Sequence, residues 1–262
     1  MKEPRVVAII QARMGSNRLP GKVLRDIHGK PMLAWVVERA RLAATLAEVV
    51  VATTTDAGDD ILAQVCKEMG VTCFRGSTFD VLDRYYQAAR ESEADVIVRL
   101  TADCPLIDPT LIDLVVTRFF EEKVDFATNR LPPPYQRTYP IGLDVEVVSF
   151  SALEKAWKEA LEVHEREHVM PYFYDAPGRF KILIVDHETN LGKYRWTVDT
   201  QPDLRFVQEV IARLPDKEHF SWLDVLKIVE EHPQLSEINA GIAHKTYLDV
   251  DGHATNTGEN HA

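Results

Sequence analysis

Residues 5–11 read RVVAIIQ, and residues 12–30 continue as ARMGSNRLPGKVLRDIHGK. The first segment is a short apolar run rich in β-branched residues, which predicts a buried strand. The second segment contains three glycines and a proline, and it carries five basic residues against one acidic residue. The sequence therefore opens with a strand that leads into an irregular basic loop.

Outward from this point, short apolar runs and helical patterns alternate through the first half of the chain. The predicted strands cover residues 5–11, 49–53, 71–74 and 95–100, and the predicted helices cover residues 31–42, 59–69, 79–91 and 109–121. This order predicts an α/β fold whose mainly parallel sheet is covered by helices on both faces. Ligands of such sheets bind beyond the carboxyl ends of the strands.

The pattern changes in the second half of the chain. Residues 143–149, LDVEVVS, alternate like a strand with one exposed face. Further strands are predicted at 180–185 and 195–198, and further helices at 151–161, 164–174, 203–214 and 222–231. We expect a single domain over residues 1–248, with an insertion-like middle section at about 130–195 and a disordered polar tail at 249–262.

Composition excludes several classes of protein. The chain has 262 residues, of which 41 are acidic and 30 are basic, so its formal net charge is −11. A nucleic-acid polymer is therefore not expected as a partner, because phosphate-backbone binding needs clustered Lys and Arg. No apolar run reaches the length of about 18 residues that a membrane span needs. The three cysteines have no paired spacing, which predicts a reduced, cytoplasmic protein.

The basic loop stands out against this acidic background. The formal charges of residues 13–30 sum to +4, so the rest of the chain carries a formal charge of −15. Backbone N–H groups in irregular turns, together with Arg and Lys side chains, bind phosphates. The Walker A pattern does not fit, because five residues separate Gly15 from Gly21 and Val23 follows Lys22. The loop is predicted to bind an anion in another way, with a solvated basic loop as the alternative.

Two carboxylates are placed where a metal ion would meet phosphates. Asp103 and Asp199 each lie just past a predicted strand. Mg²⁺ takes one or two protein carboxylates and completes its shell with phosphate oxygens and water. The alternative role, capping the helices that follow, is better served by Asp108 and Thr200. We therefore predict that Asp103 and Asp199 hold Mg²⁺.

Seven segments, in this order, resemble the cytidylyltransferase family that includes the spore-coat polysaccharide protein SpsF. They are QARMGSNRLPGKVL, VVVATTTDAGDD, FRGSTFDVLDRYYQAA, VIVRLTADCPLIDP, PIGLDVEVVS, EREHVMPYFY and RWTVDTQPDL, within residues 5–212. More distant relatives of that family are the synthetases of CMP-activated sialic acid and Kdo. The resemblance implies a nucleotide-diphospho-sugar transferase fold, which is Rossmann-like with an additional antiparallel portion. It also implies Mg²⁺-dependent transfer of CMP from CTP to an acceptor, with release of pyrophosphate.

The resemblance assigns roles to individual residues. Catalytic roles fall to Arg13, Lys22 and Asp103. The implied nucleotide-binding residues are Gln11, Ala12, Arg13, Gly15, Ser16, Arg18, Lys22, Thr53, Thr54, Gly76, Ser77 and Thr101. The acceptor is expected to be a small anion, either an acidic sugar or a phosphonate or phosphate compound, and the assembly a homodimer. The candidate acceptor-binding residues are Asp144, Glu146, Arg166 and His168. Asp144 and Glu146 share one face of LDVEV, where a solvated strand face is the alternative.

A competing motif lies at His164–His168, which reads HEREH and fits the HExxH pattern of zinc hydrolases. Two histidines one helical turn apart can bind zinc, with Glu165 as the base. Pro171 follows closely and should disturb the helix. Zinc hydrolysis is thus one alternative hypothesis, and a nucleotide-binding protein without catalysis is another.

Overall fold

The computed structural model describes residues 3–132 and 135–243, and the tail predicted at 249–262 lies outside them. A seven-stranded sheet and a two-stranded ribbon carry the fold. The strands are β1 (Val6–Gln11), β2 (Asp26–Ile27), β3 (Lys30–Pro31), β4 (Glu48–Thr54), β5 (Thr72–Gly76), β6 (Val96–Thr101), β7 (Phe126–Thr128), β8 (Glu146–Ser149) and β9 (Ile182–Ile184). The α-helices are α1 (Met32–Arg41), α2 (Asp60–Glu68), α3 (Val81–Glu91), α4 (Pro109–Glu122), α5 (Phe150–Glu159), α6 (Val163–His168), α7 (Pro171–Tyr174), α8 (Gln201–Arg213), α9 (Trp222–Glu231) and α10 (Gln234–Glu237).

The large sheet has the strand order β5-β4-β1-β6-β8-β7-β9. The first four strands in this order run parallel, whereas β8 is antiparallel to both of its neighbours. The predicted α/β fold, with a mainly parallel sheet and an additional antiparallel portion, is confirmed. Because β1 lies between β4 and β6, the basic loop that follows β1 leaves from the middle of the parallel half.

Alternate residues of the strands enter two apolar layers, one on each face of the sheet. In β1, Ala8 and Ile10 join the layer under α1 and α4, while Val7 and Ile9 join the layer under α3. This alternation follows from the period of two in a strand. Burial of β1 on both faces is what makes RVVAIIQ a continuous apolar run rather than an alternating one.

The prediction that residues 143–149 form a strand with an exposed face was wrong. Only Glu146–Ser149 is a strand, and it lies inside the sheet between β6 and β7. Glu146 is 2% exposed, because it pairs with Arg99 on the neighbouring strand. An alternating pattern does not distinguish a solvated carboxylate from one that is paired inside the protein.

Two other predicted elements differ from the structure. The helix expected at 164–174 is divided into α6 and α7, because Val169 takes a positive φ of 70° and Pro171 starts a new turn. The strand expected at 195–198 is reduced to a single bridge between Ile141 and Arg195. No helix within the described residues has the length and apolar character needed to cross a membrane.

The helices that follow Asp103 and Asp199 are capped by other residues. The Asp108 carboxylate accepts hydrogen bonds from two backbone N–H groups at the start of α4. The Thr200 side chain caps α8 in a capping box with Asp203. Both caps agree with the sequence-based expectation, so neither Asp103 nor Asp199 is needed to cap the helix that follows it.

Candidate active site

The basic loop returns to the end of the sheet through a tight turn. Gly21 has a φ of +67°, a conformation that favours glycine, and its N–H donates to the Met14 carbonyl at 3.0 Å. Leu19 and Val23 are buried and anchor the loop in the core. The turn places Lys22 at the start of a short 3₁₀ segment, with its side chain directed toward the carboxylates.

Asp59 fixes the first half of this loop, a role that sequence reasoning missed. Its carboxylate accepts a hydrogen bond from the Met14 N–H at 2.7 Å and from the hydroxyls of Thr54 and Thr53 at 2.5 and 3.2 Å. Thr53 and Thr54 are fully buried, so their hydroxyls face Asp59. The predicted contact of these threonines with a nucleobase stays a prediction, and their visible role is to hold the loop.

The ammonium of Lys22 lies between the two predicted metal ligands. Its Nζ is 2.7 Å from Asp103 Oδ2 and 2.9 Å from Asp199 Oδ1, and it also donates to the Val198 carbonyl at 3.0 Å. Burial by itself lowers the pKa of Lys22, but the charges and hydrogen bonds of Asp103 and Asp199 raise it above its ordinary value. The site therefore brings Lys22, Asp103 and Asp199 together, although they are far apart in sequence.

The backbone explains why the two aspartates meet. The Val198 N–H donates to the Asp103 carbonyl at 2.8 Å, and the Thr197 hydroxyl donates to the same carbonyl at 3.2 Å. The Thr101 hydroxyl donates to Asp103 Oδ1 at 2.6 Å and orients that carboxylate. The segment before Asp199 is thus docked on the segment after β6.

Gly142 brings a third segment of the chain against Trp196 and Thr197. Its φ is +107°, and a Cβ at this position would come within 2.6 Å of the Thr197 backbone nitrogen. No side chain fits between Gly142 and this backbone, so glycine is required for both the backbone angle and the close approach. The chain then continues directly to Asp144.

Two arginines complete the surroundings of Asp199. Arg18 Nη2 lies 3.0 Å from Asp199 Oδ1, and Arg195 Nη2 donates to Asp199 Oδ2 at 2.7 Å. Arg195 also pairs with the buried Asp203 through Nε at 2.9 Å. Burial alone would raise the pKa of Asp199, but Lys22, with Arg18 and Arg195, lowers it to about 2. Arg195 and Asp203 were not predicted, because their role depends on a tertiary contact.

A profile of the cytidylyltransferase family matches residues 7–235. The chain belongs to the cytidylyltransferase family. It is therefore an enzyme that uses CTP, and the site around Lys22, Asp103 and Asp199 lies within the matched residues.

Individual relatives agree with this family. The spore coat polysaccharide biosynthesis protein SpsF of Bacillus subtilis is 32% identical over 235 residues, which cover 87% of this chain and 95% of that protein. A solved cytidylyltransferase from Leptospira borgpetersenii serovar Hardjo-bovis is 37% identical, with a TM-score of 0.85 over 92% of this chain and all of that one. The 3-deoxy-manno-octulosonate cytidylyltransferase of Trichlorobacter lovleyi is 40% identical over 114 residues, 44% of each chain.

Other predicted nucleotide-binding residues of the cytidylyltransferase lie around the same end of the sheet. Gln11 ends β1, and its side-chain oxygen accepts a hydrogen bond from Arg99 at 3.0 Å. Gly76 ends β5, where a Cβ would approach the Phe74 side chain to 2.8 Å. The Ser77 hydroxyl accepts a hydrogen bond from the Asp80 N–H at 3.0 Å. Residues that lie in the basic loop itself are Ala12, Arg13, Gly15, Ser16, Arg18 and Lys22.

The four residues predicted to bind the acceptor fall into two separate groups. Asp144 and Glu146 lie beside β6, but each is paired with arginine: Asp144 with Arg137 and Glu146 with Arg99. Arg166 instead holds Asp80 at the start of α3 and donates to the Trp157 carbonyl at 2.7 Å. The structure therefore does not bring Arg166 together with Asp144 and Glu146.

His168 lies at the end of α6, half-buried, on the same short helix as Arg166. The contacts of this helix do not assemble a zinc site. His164 Nε2 lies 3.0 Å from Asp175, and Glu165 closes the capping box of α6 through the Glu162 N–H. Within residues 3–132 and 135–243, no group of three potential metal-binding side chains is present. Glu165, the residue that would act as the base of a zinc hydrolase, thus serves helix capping instead.

Three arginines next to Asp144 and Glu146 were missed by sequence reasoning. Arg99 is buried, whereas the Arg130 and Arg137 side chains are 23% and 14% exposed. Arg130 Nε lies 3.5 Å from Asp144 Oδ2. Three positive charges thus face two carboxylates, and the cluster has a net charge of +1. Arg99 lies on β6, the strand that ends just before Asp103.

Proposed function

We propose that this cytidylyltransferase transfers CMP from CTP to a small anionic acceptor, with release of pyrophosphate and dependence on Mg²⁺. The observation that carries the proposal is the meeting of the basic loop with two carboxylates at the end of the sheet, where Lys22 contacts both Asp103 and Asp199. A triphosphate and a divalent cation need this combination of fixed positive charges and hard oxygen ligands.

The basic loop is the proposed cradle for the phosphates. Arg13, Ser16, Arg18 and Lys22 lie on it, and the loop is held at one end by Asp59 and at the other by the Gly21 turn. Fixed donors that need no rearrangement stabilise charge in a transition state more strongly than mobile ones. Arg13 and Arg18 would therefore stabilise the charge on the departing pyrophosphate, and Lys22 would join them once it reaches the phosphates.

Asp103 and Asp199 fit a divalent cation. Their facing oxygens converge on one ammonium at 2.7 and 2.9 Å, which is a position for a positive ion between hard oxygen ligands. When bound, Mg²⁺ would neutralise charge on the phosphates. The Thr101 hydroxyl and the Arg195 guanidinium keep the two carboxylates in place for this purpose.

The acceptor would lie over the cluster of Arg99, Arg130 and Arg137. Arg130 and Arg137 reach the surface of this cluster, and its excess positive charge favours an anion. The names of the relatives agree with a sugar acid, since one acts on 3-deoxy-manno-octulosonate and another serves spore coat polysaccharide biosynthesis. An acceptor oxygen would attack the α-phosphorus of CTP while the bond to the β-phosphate breaks and pyrophosphate leaves.

The test is release of pyrophosphate by the purified chain from each of the four common nucleoside triphosphates, with and without Mg²⁺. The acceptor panel contains sugar acids, phosphonates and sugar phosphates, together with neutral sugars as controls. We expect release with CTP, an anionic acceptor and Mg²⁺ together. Binding of CTP without turnover across the whole panel would instead support the non-catalytic alternative.

The assembly we propose, from the resemblance alone, is a homodimer in the cytoplasm. Light scattering during size-exclusion chromatography measures the mass of the assembly. A mass of one chain at micromolar concentration would contradict the dimer and leave the proposed reaction intact.

A further inference from the structure

The carboxylate oxygens of Asp103 and Asp199 are all engaged in the described structure. Asp103 accepts hydrogen bonds from Thr101 at Oδ1 and from Lys22 at Oδ2. Asp199 accepts a hydrogen bond from Lys22 at Oδ1, which also pairs with Arg18, and one from Arg195 at Oδ2. The two oxygens that face each other are the two that Lys22 bridges, so the shared position between the carboxylates is held by the ammonium.

An ammonium and a magnesium ion cannot both hold this position. Mg²⁺ binds oxygens at about 2.1 Å and requires nearly octahedral geometry. Lys22 Nζ lies 2.7 and 2.9 Å from the same two oxygens that a bridging ion would use. A divalent ion held by both of these oxygens would lie within a few ångströms of Nζ and would compete with it for their negative charge, and two positive ions so close repel strongly at low dielectric constant. We expect Lys22 to move away when such an ion binds.

The charges around the site do not attract a divalent cation in the absence of nucleotide. Three carboxylates, Asp103, Asp199 and Asp203, are matched by three cations, Arg18, Lys22 and Arg195. A triphosphate adds several negative charges and so reverses this balance. The phosphates also offer Lys22 a second set of oxygens on its own loop.

We propose that Lys22 is a tethered cation that occupies the metal position in the nucleotide-free enzyme, and that the divalent ion enters only when the triphosphate draws Lys22 away. This proposal rests on the metal site of the proposed function. Lys22 then has two roles: it keeps Asp103 and Asp199 in place before the nucleotide binds, and it contacts phosphate afterwards.

The local structure suits such a movement. Lysine is a point charge on a flexible stem, unlike the planar fork of arginine. The backbone at this point is fixed, since the Leu24 N–H donates to the Gly21 carbonyl at 3.0 Å and Val23 is buried. The side chain of Lys22 can therefore move while the loop stays in place.

The experiment measures Mn²⁺ binding to the full chain without nucleotide, by electron paramagnetic resonance of the free ion. The variants are Lys22→Met, which removes the charge and keeps the length, and Lys22→Arg, which keeps the charge. Lys30→Met is the control on the same basic segment, where Lys30 pairs with the exposed Glu38. We expect Lys22→Met to bind one Mn²⁺ at least about tenfold more tightly than the wild type, because a competing unit charge is gone.

Lys22→Arg and Lys30→Met should bind Mn²⁺ as weakly as the wild type. Adding Asp103→Asn to Lys22→Met should remove the new site, which locates it. Thermal unfolding gives a second measurement: Lys22→Met should melt below the wild type and regain stability with Mn²⁺. If Lys22→Met is unfolded without metal, folding on addition of Mn²⁺ reports the same site.

Equal Mn²⁺ affinity in the wild type and Lys22→Met overturns the proposal, as does an unfolded Lys22→Met that Mn²⁺ does not rescue. The measurement uses neither CTP nor acceptor. A failure of CMP transfer and a failure of this proposal are therefore distinguishable.

Discussion

Two pairs of carboxylates lie at the same end of the sheet, and they are neutralised in different ways. Asp103 and Asp199 share the ammonium of Lys22, with Arg18 and Arg195 also on Asp199, and their side chains remain 25% and 15% exposed. Asp144 and Glu146 are paired with arginines, and Glu146 is almost fully buried. A single ammonium can be exchanged for another cation, whereas an arginine fork in a buried pair is costly to remove. We call Asp103 and Asp199 the reactive pair, because they suit chemistry. We call Asp144 and Glu146 the architectural pair, because they suit the architecture of the fold.

Asp103→Asn tests the reactive pair and should have the largest effect. The change removes one of two proposed metal-binding charges but keeps the shape and the Thr101 contact. We expect CMP transfer to fall about a thousandfold, equivalent to roughly 4 kcal/mol of transition-state stabilisation. Pyrophosphate release measures it, with Asp216→Asn, on an exposed loop, as the control. Activity within about tenfold of wild type would show that Asp103 does not serve the chemistry.

Glu146→Gln tests the architectural pair. The change leaves buried Arg99 without its counter-charge, and we expect the free energy of unfolding to fall by about 3 kcal/mol. Denaturant unfolding measures it. The matched control is Glu209→Gln, which breaks the exposed pair with Arg213 and should leave the free energy of unfolding close to that of the wild type, because solvent screens exposed pairs. Equal losses in the two variants would contradict the distinction between the pairs.

Gly142→Ala acts on the close contact between the segment that leads to Asp144 and the segment that leads to Asp199. The new Cβ meets the Thr197 backbone, and the positive φ strains any side chain. We expect a loss of about 2 kcal/mol in unfolding free energy, together with weaker activity, because Asp199 shifts relative to Asp103. Gly178→Ala is the control, since its φ is also positive but no atom lies within 4 Å of the position that a Cβ would take there. A loss no greater than that of the control would show that close approach is not required.

Arg137→Met should have the smallest effect. It tests whether the arginines around Asp144 and Glu146 also bind the acceptor. Removing a partly exposed positive charge above Asp144 should raise the KM for the anionic acceptor about tenfold, with little change in the KM for CTP. Initial rates over both substrates measure this difference. Arg205→Met, at an exposed position of α8, should leave both values unchanged. A rise in the KM for CTP alone would place the nucleotide, not the acceptor, over this cluster.

Local sequence signals predicted the parts of this molecule that depend on neighbours in the chain. The apolar runs predicted the four parallel strands, and Asp103 follows the last of them as expected, whereas the strand expected before Asp199 is only a single bridge. The helix caps at Asp108 and Thr200 also followed from short-range rules. These features succeed because strand ends and helix starts are set by a few adjacent residues.

Contacts between distant segments could not be predicted in this way. Lys22 and Asp199 are separated by 177 positions, and Arg99 and Glu146 by 47. Nothing in either local sequence shows that the charges will meet. The same limit explains why Glu146 was expected on a solvated face, and why Arg166 was grouped with residues that it does not contact.

The position of β8 has a consequence for the order in which the enzyme is built. This strand comes after β7 in the chain but lies between β6 and β7 in the sheet. During synthesis from the N-terminus, β1, β4, β5 and β6 can pair before β8 has emerged, so the half that carries the basic loop and Asp103 can form first. Asp199 follows later still. A growing chain therefore carries the whole basic loop and Asp103 before the residues around Asp199 have been added.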